Sequence, residues 1–269
     1  MRLAAALLVW AAPFAMAVDG PETRAVESVL SSKLSGEEPA WLLVAADGRR
    51  WQRGFSDEPI LPGSLLKPFA ALAWLESHQD QPPVHGCRGD GCWLPAGHGE
   101  IGLVDALAHS CNFYFSQLIR NIRFEQIAAV ALQYGLSTPP ADNPDAWWGW
   151  GDAWPVRPAA LLEAFQELGR RRRPANALAL SGLRRAADSG TGSGASRALA
   201  APAWVKTGTA PCRHPRRRDG DGLAIVVYPA SNPRYTMLLQ ACGRTGREAA
   251  VAAGLAVAKL TGERNSSQP

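Results

Sequence analysis

The sequence predicts an α+β fold: an antiparallel sheet built from both chain ends, packed with helices and carrying an inserted helical subdomain. Three observations predict it. Two strand-like runs, 40–46 and 49–55, lie near the amino terminus, and three more, 203–210, 223–228 and 235–241, lie near the carboxyl terminus. The chain between them reads mainly as helices. One of these, 64–75, has no polar face beyond its first turn, and a helix apolar all round is a buried one.

The 269 residues suffice for one large domain or two interlocked subdomains. We expect a sheet lobe at about 18–62 and 197–261 and a helical lobe at about 63–196. The formal net charge is +4, supplied almost wholly by arginine. The short arginine runs 170–173 and 216–218 read as solvated loops. The ten tryptophans do not interleave with them, which argues against a nucleic-acid partner. At the amino terminus, Arg2, an apolar stretch to Met16 and Ala15-Met16-Ala17 read as a signal peptide cut after Ala17. The chain is therefore expected to be periplasmic or secreted, with membrane attachment only through an uncleaved signal anchor.

Taken in order, residues 18–35 read as a helix with Pro21 near its start, and Asp47-Gly48 as the turn between two strands. Pro62 and Gly63 end the strand region. Pro68 is tolerable only in a first turn, where backbone donors lack partners anyway, so the buried helix is expected to begin at about Ser64. Residues 78–99 read as a loop rich in Gly, Pro and Cys. Helices follow at 103–109, 113–120 and 124–134, the last closed by Gly135. A tryptophan-rich irregular stretch, 139–154, precedes a helix opened by Pro158. Residues 187–196 read as a Gly/Ser linker, 245–260 as a closing helix, and 262–269 as a disordered tail.

An exported chain frames its five cysteines. Cys87 and Cys92 bracket Arg88-Gly89-Asp90-Gly91, a loop able to close a disulfide. His85 and His98 flank the pair, so a four-ligand zinc site is the alternative. An oxidising compartment favours the disulfide, and no metal or cofactor is expected. Cys212 and Cys242 are candidates to pair across strand ends, which leaves Cys111 unpaired and packed.

Chemistry enters at Ser64-Leu65-Leu66-Lys67. Residues three apart on a helix share a face. A serine at a helix N-terminus gains from the dipole as it becomes an alkoxide. A lysine one turn on can take its proton if burial and a neighbouring cation depress its pKa. Alone, such a serine is more often an N-cap. Two further strings change the odds, Ser110-Cys111-Asn112 between helices and Lys206-Thr207-Gly208-Thr209 on a strand.

SxxK, SxN and KTG in this order resemble the penicillin-binding transpeptidase domain, within the acyl-serine transferase and serine β-lactamase superfamily. Wider strings are similar too: Cys92-Trp93, Gly97-His98-Gly99, and the run from Ala106 through Ser110-Cys111-Asn112 to Phe115. Gly149-Trp150-Gly151 resembles the family's Gly-Gln-Gly stretch, with tryptophan in place of glutamine.

The resemblance implies a β-lactamase/transpeptidase-like fold and a peptidoglycan DD-transpeptidase or DD-carboxypeptidase. It implies partners too, D-Ala-D-Ala stem peptides and β-lactams. Ser64 would form the acyl-enzyme, with Lys67 as base and its ammonium form disfavoured by Lys206. Ser110 would relay a proton to the leaving amine, and Asn112 would orient the substrate amide and Lys67. Lys206 would raise the local positive potential. Thr207 and Thr209 would bind the substrate carboxylate, and Gly208 would let its backbone lie against the strand. The N–H groups of Ser64 and Thr209 would form the oxyanion hole. A serine β-lactamase and a non-catalytic cell-wall or β-lactam binding module are the competing readings.

Overall fold

The computed structural model describes residues 20–34, 38–211 and 220–263. The signal peptide, Cys212, the 216–218 arginine run and residues 264–269 lie outside them. Helix α1 (Pro21–Lys33) leads into β1 (Ala40–Ala45) and β2 (Arg50–Arg53), joined at Asp47-Gly48. The second strand is shorter than expected because Gly54 turns to φ +73 and lies against Ala40. A single 3-10 turn (Gly63–Leu66) then feeds α2 (Lys67–Leu75).

The helical part continues with α3 (Leu103–Ala108), α4 (Asn112–Leu118), α5 (Phe124–Gln133), α6 (Pro158–Arg170), α7 (Pro174–Asp188) and the short α8 (Ser193–Ser196). The expected loop 78–99 carries a two-stranded ladder, β3 (His85–Cys87) against β4 (Gly99–Ile101). Three strands return, β5 (Trp204–Ala210), β6 (Asp221–Tyr228) and β7 (Tyr235–Ala241), before the closing helix α9 (Gly246–Thr261).

The main sheet runs in the order β2-β1-β7-β6-β5, antiparallel throughout. It is built from both chain ends, as the sequence predicts. Because side chains alternate across a strand, β6 serves two cores. Leu223, Ile225 and Val227 face α2 and the helical region, while Ala224, Val226 and Tyr228 face α1 and α9. Every residue of α2 except Leu75 is buried. Each large side chain so buried contributes roughly 1.5–3 kcal/mol of transfer free energy, which makes α2 a fixed post for whatever its first turn carries.

Two expectations change. Residues 187–196 are no linker: they close α7, turn tightly and form α8. Their glycines serve close approach, since a Cβ at Gly190 would sit 2.2 Å from the Ala108 oxygen and one at Gly192 2.4 Å from Val205. Glu263, expected to lie in the tail, is packed on the sheet lobe: its carboxylate accepts from Tyr228 Oη (2.5 Å) and the Ala200 amide (2.8 Å). Among the described residues no helix is long and apolar enough to cross a membrane.

Candidate active site

Ser64 stands on the 3-10 turn, where residues i and i+3 eclipse, so Lys67 lies on the same side. Pro68 sits in the first turn of α2, as its missing N–H requires. The turn is pressed onto β5: Gly63 has φ +52, and a Cβ there would lie 2.3 Å from the Thr209 oxygen. Gly149, at φ +88, clamps it from the other side, with a notional Cβ 1.8 Å from the Gly63 oxygen. No other residue fits at either position.

A cavity of about 480 Å³ opens above this turn. It gathers Ser64, Ser110, Asn112, Thr207, Gly208 and Thr209 from three separate stretches of chain. Lys67 and Lys206 lie in its floor, both fully buried. Lys67 Nζ donates to the Ser110 carbonyl (2.7 Å), Ser110 Oγ (3.3 Å) and Asn112 Oδ1 (2.6 Å). Lys206 Nζ donates to Ser110 Oγ (2.9 Å) and the Thr207 carbonyl (2.7 Å). The Ser110 hydroxyl thus bridges two lysines. Ser110 has φ +53, a conformation few non-glycine residues adopt, held by the contacts around it.

Burial pushes the Lys67 pKa down to about 7, against the opposing pull of the Cys111 and Cys92 thiols. Burial pushes Lys206 down as well, and the charge of Lys67 adds to it. Desolvation, more than the neighbouring cation, is therefore what lowers the Lys67 pKa. The rings of Trp148 (5.1 Å) and Phe115 (5.5 Å) flank its ammonium group. None of the three Lys67 hydrogen bonds goes to Ser64. Apo catalytic contacts are often loose in this way.

Sequence reasoning missed Thr191, Trp148 and Arg247, and it singled out Trp93 and Trp150 without placing them in the cavity. Thr191 is buried beneath the cavity and accepts a hydrogen bond from Thr207 Oγ1 (2.6 Å), while its own hydroxyl reaches the Ala108 carbonyl (3.3 Å). Trp93, Trp148, Trp150 and Arg247 line the walls. Trp150, the departure from Gly-Gln-Gly, stacks on Trp148 at 5.3 Å. The flanking glycines, at φ +88 and +77, were the available signal that this stretch is built into something. Glu163 faces elsewhere, paired with Arg50 at 2.7 Å.

The expected Cys87–Cys92 disulfide is not formed; both are free thiols. Instead Cys87, Cys92, His98 and Cys111 converge, their donor atoms all within 4.8 Å of one another. Cys87 Sγ and Cys92 Sγ lie 3.6 and 3.5 Å from His98 Nδ1, and Cys92 Sγ lies 3.8 Å from Cys111 Sγ. A tetrahedron with Zn–S of about 2.3 Å and Zn–N of about 2.0–2.1 Å has edges of about 3.8 Å (S···S) and about 3.6 Å (S···N). These three contacts match those edges, and three sulfurs with one imidazole are a donor set that suits Zn²⁺. Burial, with His109 beside it, pushes the His98 pKa down and favours the neutral imidazole a metal requires. The disulfide expectation failed because β3 and β4 and the turn before α4 bring a third sulfur and an imidazole to the same point. Linear spacing does not show that.

Among the solved structures that this fold matches are penicillin-binding protein transpeptidase domains. It matches Pseudomonas aeruginosa PBP2 in complex with WCK 5153 with TM-score 0.74 at 16% identity, covering 94% of this chain and 78% of that one. The apo transpeptidase domain of Burkholderia pseudomallei penicillin-binding protein 3 matches with TM-score 0.74 at 15% identity, over 94% and 97%. The transpeptidase domain of the Legionella pneumophila FtsI4 D,D-transpeptidase matches with TM-score 0.69 at 18% identity, over 91% and 98%. No protein-family model and no curated sequence matches the chain.

Proposed function

We propose that this chain is an exported acyl-serine enzyme, a peptidoglycan DD-transpeptidase or DD-carboxypeptidase that also binds β-lactams. The observation that carries the reading is the pair of buried lysines meeting at one serine hydroxyl beneath the cavity that holds Ser64. Two ammonium groups are rarely buried so close without a task.

In the proposed reaction Lys67, as the free amine, takes the Ser64 proton while Oγ attacks the carbonyl of the terminal D-Ala-D-Ala bond. The oxyanion is received by the N–H groups of Ser64 and Thr209, whose backbones the Gly63 packing sets side by side. The C–N bond then breaks, and Ser110 passes the proton on from Lys67 to the leaving amine, since its hydroxyl can both donate and accept. Asn112 and Lys206 hold Lys67 and Ser110 in place. β5 is an edge strand, so a substrate backbone can lie along it at Gly208.

Transfer to an amine is favoured over a β-lactamase reading because, among the described residues, no carboxylate lines the cavity to activate water. Zn²⁺ bound by Cys87, Cys92, His98 and Cys111 would be a closed structural site, bracing the turn that carries Ser110 and Asn112. The test of the reading is incubation with a D-Ala-D-Ala peptide, with and without an amine acceptor. Released D-Ala together with an acceptor adduct supports transfer. D-Ala without adduct points to carboxypeptidase action, and no D-Ala from a folded protein overturns both.

A further inference from the structure

The thiols beside the Ser110-Cys111-Asn112 turn are placed to react with one another as well as to hold a metal. Cys92 Sγ and Cys111 Sγ lie 3.8 Å apart, and a disulfide needs about 2.05 Å. Cys92 is partly exposed, whereas Cys87 and Cys111 are buried. A reagent arriving from solvent therefore meets Cys92 first, with Cys111 behind it.

Both sulfurs are tied to the turn. Cys111 stands between Ser110 and Asn112, which supply all three acceptors of Lys67 Nζ. Its sulfur accepts from the Tyr114 amide (3.4 Å) and so fastens the turn to α4. Cys92 Sγ sits against the amides of Asn112 and Phe113, and the neighbouring Trp93 Nε1 donates to the His109 carbonyl (3.0 Å). Closing the gap by about 1.8 Å thus displaces residues 109–113 whichever sulfur moves. Ser110, already at φ +53, has little freedom with which to absorb the shift.

We propose that Cys92 and Cys111 form a thiol–disulfide switch: oxidation joins them and draws Ser110 and Asn112 off Lys67. The oxidant is a low-molecular-weight disulfide. The Cys92 thiolate attacks one of its sulfurs, which forms a mixed disulfide and releases one thiol. Cys111 then attacks the Cys92 sulfur and releases the second. Each released thiol carries away one protein thiol proton, so the exchange balances. Metal ligation draws on the same thiols, and the metal-bound and oxidised states exclude each other.

That the switch turns catalysis off rests on the acyl-serine reading above, so the test separates the two. The full chain, reduced and held in chelator, is treated with glutathione disulfide. Peptide mass spectrometry should locate a Cys92–Cys111 bond. Amide exchange over residues 112–118 should rise as Tyr114 loses its sulfur acceptor, and acylation by benzylpenicillin should fall about a hundredfold. Dithiothreitol should reverse all three, and Cys92→Ser should keep its acylation rate through the same treatment. A bond from Cys92 to Cys87, no bond at all, or a Cys92–Cys111 bond that leaves exchange unchanged would each overturn the proposal. If the reduced protein forms no acyl-enzyme while the bond still forms and raises exchange reversibly, the catalytic reading falls and the switch stands. If the reduced protein is acylated and the bond leaves that rate unchanged, the switch falls alone.

Discussion

The turn at Ser110-Cys111-Asn112 has two faces, and they differ in kind. Ser110 and Asn112 point to one side, where oxygen acceptors meet two buried lysines. Cys111, between them, points to the other side, where three sulfurs and an imidazole crowd together. The first face has its hydrogen bonds satisfied by protein groups alone. The second gathers four metal-donor atoms within 4.8 Å of one another. One strained residue, Ser110 at φ +53, joins them. The comparison teaches that this turn is tied on both sides, by lysine hydrogen bonds on one and by a sulfur–imidazole cluster on the other.

Breaking the first face should have the largest effect on rate. Lys67→Ala is expected to slow acylation by a β-lactam about a thousandfold, as loss of a general base typically does, while metal content stays unchanged. Stopped-flow labelling and metal analysis of the same sample check both halves. The pH profile sharpens the point. With its pKa lowered to about 7, Lys67 loses its proton as pH rises through neutrality. Acylation should therefore climb nearly tenfold per pH unit from pH 5 and level off above about 7. A flat profile between pH 5 and 9 would remove Lys67 as the base.

Breaking the second face should act on stability first. Cys92→Ser is expected to abolish one equivalent of bound zinc per chain and to lower Tm by about 10 °C, the loss of several kcal/mol in a chain of this size. Chelation of the parent protein should reproduce it. Zinc-free parent protein with an unchanged Tm would show that the cluster braces nothing. The smallest effect is expected at the join with α7. Thr191→Val removes one hydrogen bond to Thr207 and should reduce acylation about two- to tenfold.

The same contrast explains what could be read from sequence. The oxygen–lysine face was legible because Ser64 and Lys67, Ser110 and Asn112, and Lys206 to Thr209 lie in short strings whose spacing carries their geometry. The buried helix was legible because nothing from Phe69 to Leu75 is polar. The sulfur face was not, since Cys87, Cys92, His98 and Cys111 meet only after β3 and β4 pair. The expectation of an exported chain also made the disulfide the more natural reading. Thr191 was hidden inside a Gly/Ser stretch whose glycines look like a linker but permit close packing on Ala108 and Val205. Trp93 and Arg247 are 154 positions apart in sequence, and no local pattern announces that they touch.

The central claim is that Ser64 is the acylated nucleophile, and covalent labelling by a fluorescent penicillin tests it most directly. The account predicts one adduct per chain, located at Ser64 by peptide mass spectrometry and absent from Ser64→Ala. A folded protein that takes up no label, or one whose label survives Ser64→Ala, would contradict it.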